Sequence, residues 1–273
     1  MFKTRLLIFL FLLVGISAKA SFLLLPMDDT TQQNHLKAYG ITYWAIDKQY
    51  KVSWLLNYRG GSFLISDAPE IRRECQIRGV SFEILSDGQT QTILDKIASP
   101  SQNMESVALE KAPKVAVYTP DGKMPWDDAV TLVLTYAEIP FTKVYDTEVL
   151  SDQLLLYDWL HLHHEDFTGQ YGKFFGAYRN APWYIEQKRA AEDLATKLGY
   201  NKVSDQKVAV AKKTRDFVVG GGFLFAMCSA TDSFDIALSA EGVDICEPMF
   251  DGDPSDGNYQ SKIDYKQTFA FKD

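Results

Sequence analysis

Gly220-Gly221-Gly222-Phe223-Leu224-Phe225-Ala226-Met227-Cys228-Ser229-Ala230-Thr231 is the stretch whose reading decides the fold. The three glycines end a helix expected over 206–218. The apolar run 223–227 predicts a short buried strand, and 229–238 predicts the next helix. Cys228 therefore falls on a strand-to-helix turn. A nucleophile elbow holds its reactive side chain on such a strained turn and needs small residues two places to either side, which Ala226 and Ala230 supply. The following helix directs the positive end of its dipole at the sulfur. Its first backbone amide, that of Ser229, is placed to receive an oxyanion. The same spacing equally fits a small inert cysteine packed into a tight turn.

Working upstream, strand and helix patterns alternate from Lys114 onward. Val115-Ala116-Val117-Tyr118 reads as a strand ending in Thr119-Pro120-Asp121-Gly122. A helix is expected over 126–137, a strand over 142–145, a buried parallel strand over 154–162 and a helix over 183–198. This alternation predicts an α/β fold: a doubly wound, mostly parallel sheet with helices on both faces. Ligands of such sheets sit outside the carboxyl ends of the strands. A preceding α/β segment is expected to hold strands over 41–46, 52–56, 63–65 and 80–85. Its helices are expected after Asp67, ending at Gly79, and over 89–97. The polar stretch 98–112 reads as a linker. The expected division is therefore 1–20, 21–112 and 113–273.

A second candidate site is His161-Leu162-His163-His164-Glu165-Asp166, which holds three of the four histidines in the chain. On a strand, His161 and His163 share a face and His164 takes the other. Two same-face imidazoles beside a carboxylate suit Zn²⁺. A histidine at this strand's carboxyl end would also reach Cys228 on a neighbouring strand end and act as its base. A hydrogen-bonded core histidine with solvated neighbours is the plain structural alternative. Asp251-Gly252-Asp253-Pro254-Ser255-Asp256-Gly257 resembles a calcium loop, but its third acid is one place late and no glutamate closes it, so a solvated acidic turn is expected. Tyr171, Phe174, Phe175, Tyr178, Trp183 and Tyr184 fit core packing at helical spacing better than a carbohydrate platform.

The helix, triple glycine, strand, Cys228, helix arrangement resembles class I glutamine amidotransferases and their relatives with a flavodoxin-like sheet. Over its whole length the chain resembles exported bacterial proteins, typical of Bacteroidetes, that often carry the name asparagine synthetase B. Leu25-Pro26-Met27-Asp28-Asp29, Asn34-His35-Leu36-Lys37-Ala38-Tyr39-Gly40 and Asp158 to Gly169 carry that likeness. The resemblance implies a Cys-dependent hydrolase acting on amide bonds, with Cys228 as nucleophile. Amidotransferases complete the site with a downstream His-x-Glu pair, yet no histidine follows Cys228 here. The base is then His161, His163 or His164, with Glu165 beside them, or it belongs to a C-terminal part this chain lacks. Truncation of the domain at its C-terminus is the expectation. Asparagine synthetases pair an N-terminal cysteine with a Ser-Gly-Gly-x-Asp-Ser loop for ATP; neither is present, and that activity is not expected.

The first residues read as an address. Lys3 and Arg5 precede an apolar run from Leu6 to Ile16, and Ala18-Lys19-Ala20 supplies the small residues of a signal-peptidase site, placing cleavage before Ser21. The run is shorter than the roughly 20 residues a membrane span needs. An uncleaved anchor is the alternative, because Phe22-Leu23-Leu24-Leu25 adds apolar length. Periplasmic or extracellular location is expected. The chain carries 28 basic and 36 acidic side chains, a net charge of −8, without a basic stripe. Nucleic acid is therefore not an expected partner, and a small amide or a glycan is. Three cysteines are too few for a disulfide scaffold.

Overall fold

A computed structural model describes residues 21–120 and 128–272. The expected leader over 1–20 lies outside the described residues. The chain divides into two compact units: the first runs to Ala112 and takes in Tyr136–Ile139, and the second comprises Pro113–Thr135 and the chain from Pro140 onward.

The first unit is built from β1 (Ser21–Leu25), α1 (His35–Asp47), β2 (Val52–Leu56), β3 (Ser62–Ser66), α2 (Pro69–Arg78), β4 (Glu83–Ser86), α3 (Asp87–Ile97) and β5 (Glu105–Leu109). Its sheet has five strands in the order β4-β1-β3-β2-β5, every pair antiparallel. The β-α-β-β-α-β succession from β1 to β4 is the split β-α-β plan of ferredoxin-like domains. Leu23, Leu25, Phe63 and Ile65 pack on one face with Ile41, Ile71 and Cys75 from α1 and α2. Leu24, Leu55 and Leu64 pack on the other with Ile97 of α3. Phe22–Leu25, which would have lengthened a membrane anchor, belong to β1 in the interior of this sheet.

Two expectations for this unit are corrected. Residues 41–46 are helical, not a strand, although they are rich in β-branched and aromatic residues. Asn34 caps α1 by accepting the Lys37 amide, and Ala38, Ile41, Thr42 and Ala45 are buried at helical spacing. Residues 98–112 are not only linker, because β5 within them pairs with β2 through the register Val52↔Leu109.

The second unit contains β6 (Val115–Tyr118), α4 (Ala129–Ala137, whose last two residues group with the first unit), β7 (Phe141–Val144), α5 (Asp146–Leu150), β8 (Trp159–Leu162), α6 (Gly172–Tyr178), α7 (Pro182–Lys197), α8 (Val203–Val219), β9 (Phe223–Ala226), α9 (Ser229–Ser239) and α10 (Pro248–Asp251). Its four strands are all parallel, in the order β7-β6-β8-β9. The strand order reverses direction between β6 and β8, and ligands of parallel sheets collect at the carboxyl end of such a switch point. Ala116, Tyr118, Leu160 and Leu162 on one sheet face pack with Val210 and Phe217 of α8 and Phe234 and Leu238 of α9. The strand expected over 154–162 is shorter. Residues Gln153–Leu156 form a 3₁₀ turn that buries Leu154 while leaving Leu155 and Leu156 exposed, and β8 starts at Trp159.

Candidate functional site

Three chain segments meet at the carboxyl edge of the parallel sheet. Cys228 follows β9 and is the residue immediately before α9, with φ 52° and ψ −139°. Positive φ is costly for a residue with a Cβ and is maintained only where the surroundings impose it. The backbone imposes it here. The Met227 amide donates to the Leu162 carbonyl at 3.0 Å, which ends the β8–β9 ladder. One residue later the Cys228 carbonyl accepts the Thr231 amide at 3.2 Å inside the first turn of α9. Cys228 is exposed, whereas Cys75 and Cys246 are buried, and all three are free. Burial pushes both of those thiols up to about 12; nearby Asp251 and Asp244 add to the effect on Cys246.

The histidine tetrad occupies the adjoining strand end. His161 is the third residue of β8, pairs with Phe225 in the register and stacks on its ring at a centroid distance of 5.4 Å. It is 4% exposed, and its Nε2 has no hydrogen-bond partner among the described residues. Burial, with His163 adding to it, lowers its pKa to about 4 against a weaker opposing pull from Asp128. At neutral pH it is an uncharged imidazole. His163 lies one residue past β8. Its ring meets that of His164 edge-on at 4.4 Å.

Glu165 shapes the turn that follows. Its Oε2 accepts the amides of His163 at 3.3 Å and His164 at 3.2 Å. The hydroxyl of Ser229 donates to the His164 carbonyl at 2.8 Å, and that of Ser233 donates to the Glu165 carbonyl at 3.1 Å. The histidine turn and the start of α9 are thus tied directly to each other. Glu165 holds the turn's backbone.

The sequence reading missed Asp128. It is 2% exposed, and its Oδ1 caps α4 by accepting the amides of Val130 and Thr131, each at 3.1 Å. The same oxygen is 3.7 Å from His163 Nδ1. An aspartate just before an apolar helix was a legible cap signal, but its distance in sequence from the tetrad hid the pairing. Thr119, the residue after β6, is 2% exposed with its Oγ1 unpartnered among the described residues. Thr119 follows β6, while His161 lies on β8 and His163 just past it, the two strands that flank the switch point. No hydrogen bond reaches the Cys228 thiol among the described residues.

Among the described residues, the only trio of metal-type side chains within joint reach of one point is Asp244, Asp251 and Asp253. Lys202 Nζ sits among them at 2.5, 3.3 and 2.7 Å, so an ammonium already answers their charge. The acidic turn at 251–257 is a lysine clamp. The aromatic run divides: Tyr184 is buried, whereas Phe174, Tyr178 and Trp183 are exposed and touch one another through tilted or edge-on contacts. No helix among the described residues is long and apolar enough to cross a membrane. Comparison with protein-family models, with curated proteins and with solved structures finds no match.

Proposed function

We propose that the second unit is a doubly wound, amidotransferase-like domain carrying a Cys-dependent acyl-transfer site, and that the protein is an exported hydrolase of amide bonds. The observation that carries this reading is the exposed Cys228 in positive-φ geometry between β9 and the N-terminus of α9. A packing cysteine needs neither strain nor exposure. A nucleophile on an elbow has both. The strand order and the site at the carboxyl edge agree with the flavodoxin-like plan.

In this reading His163 is the base, with Nδ1 turned toward Asp128 and Nε2 available to the thiol. Nε2 takes the Cys228 proton, and Sγ attacks the amide carbonyl carbon. The oxyanion forms near the first amide of α9, at Ser229. The C–N bond then breaks, the amine leaves with the proton held by His163, and a thioester remains. Water, giving its proton to His163, adds to the thioester; the C–S bond breaks, the acid departs and the thiol is restored. His161 stays neutral beside the base, and His164 and Glu165 hold the turn.

Trapping the acyl-enzyme tests this. Incubation with p-nitrophenyl acetate should release p-nitrophenolate and leave an acetyl group on Cys228, located by peptide mass spectrometry. Cys228→Ala should abolish both, and His163→Gln should slow acylation by about a hundredfold. Acetylation spread over surface lysines with Cys228 untouched would refute the reading. A binding module without catalysis is the second reading, favoured by the missing thiol–imidazole hydrogen bond. It would hold a glycan on Phe174, Tyr178 and Trp183, or Zn²⁺ on His161 and His163.

A further inference from the structure

The second unit buries an ion pair that the proposed reaction does not use. Lys207 of α8 and Asp146, the first residue of α5, are 5% and 1% exposed. The Lys207 ammonium donates to both Asp146 oxygens, at 2.9 and 2.8 Å, and to the hydroxyls of Tyr118 at 2.9 Å and Tyr145 at 3.3 Å. Its Nζ also lies 4.5 Å from the centre of the Tyr145 ring and 5.4 Å from that of Tyr118. Apolar side chains of similar volume commonly serve folding at least as well as a buried ion pair, so stability alone is a poor reason to keep one. Its place in the fold supplies another. Tyr118 is the last residue of β6 and Tyr145 the first after β7, so the cluster sits at the carboxyl edge of the parallel sheet. The histidine turn and Cys228 leave β8 and β9 at that same edge.

Two links lead from the cluster to the turn. Phe167, fully buried, stacks on the Tyr118 ring at a centroid distance of 5.2 Å and meets Phe234 of α9 edge-on at 5.9 Å. It follows closely on Glu165, whose Oε2 accepts the His163 and His164 amides. Burial raises the pKa of the Tyr118 and Tyr145 hydroxyls, and the charges of Asp146 and Glu165 add to it, with Lys207 opposing at Tyr145. Glu165 is thus within electrostatic reach of the hydroxyls that Lys207 binds. We propose that Lys207 is a positioning residue for the Cys228 site: it fixes Tyr118 against Asp146, and Tyr118 holds, through Phe167, the turn that presents His163. The proposal rests on the Cys228 reading and adds the layer beneath it. A base that must meet a thiol has to be held to within about 0.5 Å, and a turn that has left the β8 ladder takes that rigidity from what packs under it. A Tyr118 ring tied by its hydroxyl to a buried ion pair cannot shift without breaking those bonds.

The histidine rings read this independently of the thiol. NMR of the full chain follows the Cε1–H signals of His35, His161, His163 and His164, with that of His163 identified by its loss in His163→Gln. Lys207→Met combined with Asp146→Asn removes both charges and keeps an acceptor for Tyr118 and Gln206. It should move the His163 signal, leave that of His35 in the first unit in place, and slow iodoacetamide alkylation of Cys228 at pH 7 by about fivefold. Tyr118→Phe, which retains the ion pair, should do the same, and decides the matter where the double variant does not fold. Val210→Ala, which opens the same core without removing a polar group, should change neither readout. An unmoved His163 signal overturns the proposal, and so does a moved signal with unchanged alkylation. Equal effects from Val210→Ala overturn it too, because loosened packing then suffices. A Cys228 that reacts as slowly as Cys75 and Cys246 in the natural chain overturns the cysteine reading itself, and the positioning role with it.

Discussion

Cys228 holds φ 52° although its Cβ penalises that conformation. A residue with a Cβ in such a sparsely populated positive-φ region costs on the order of 1–3 kcal/mol. Cys228→Gly should therefore be more stable than Cys228→Ala by about 1 kcal/mol in urea denaturation. Equal stability of the two would mean that the turn is relaxed in solution. His161 gives a pH prediction of definite sign. Its folded pKa of about 4 lies below its ordinary 6.5, so the unfolded chain binds the proton more readily between those values. Its contribution is complete above about pH 6.5 and is lost as pH falls toward 4, on the order of 3 kcal/mol in full. The His161→Phe variant should show a smaller drop in urea midpoint between pH 7 and pH 5 than the natural chain. An unchanged drop would place the pH sensitivity elsewhere.

At the scale of elements, the strongest polar feature is buried where β6, α5 and α8 meet. Lys207 Nζ donates to both carboxylate oxygens of Asp146 at 2.9 and 2.8 Å and to the hydroxyl of Tyr118 at 2.9 Å. Tyr118 donates to Asp146, and Gln206 Nε2 donates to its other oxygen at 2.7 Å. Burial works against the charge on Lys207, yet the surrounding Tyr145 and Asp146 hold its pKa above the ordinary lysine value. Lys207→Met should cost about 3–5 kcal/mol by leaving Asp146 buried and unpaired, and adding Asp146→Asn should recover part of it. A loss under about 1 kcal/mol would show that water reaches the carboxylate. None of this network was legible in the sequence, because it joins residues from three separate elements. The short parallel strands were legible, since apolar runs bounded by glycine, proline and aspartate have few other readings. The helix α1 was not, because Ile41, Thr42, Tyr43 and Trp44 favour strands locally and only tertiary burial of its inner face decides against them. The placement of Cys228 between β9 and α9 and of the tetrad at the end of β8 could be read from spacing; the approach of Asp128 to His163 could not, since only the fold makes it.

For the whole molecule, export is a proposal, and the first sheet bears on where a leader would have to be cut. Within β1 the Ser21 hydroxyl donates to Asp67 at 2.6 Å, and Leu23, Leu24 and Leu25 are fully buried. Cleavage before Ser21 would thus leave the first sheet intact, whereas cleavage inside β1 would remove an interior strand. Intact-mass analysis of the protein recovered from the expressing cell's envelope or medium should give Ser21 as the first residue. A retained Met1 would contradict export by a cleaved leader. The account as a whole depends on Cys228 being a working nucleophile. Iodoacetamide alkylation of the folded chain at pH 7, followed residue by residue by mass spectrometry, tests it most directly. Cys228 should react at least about tenfold faster than Cys75 and Cys246, and His163→Gln should slow it alone. A Cys228 that reacts no faster than the two buried thiols until the protein unfolds would contradict the account.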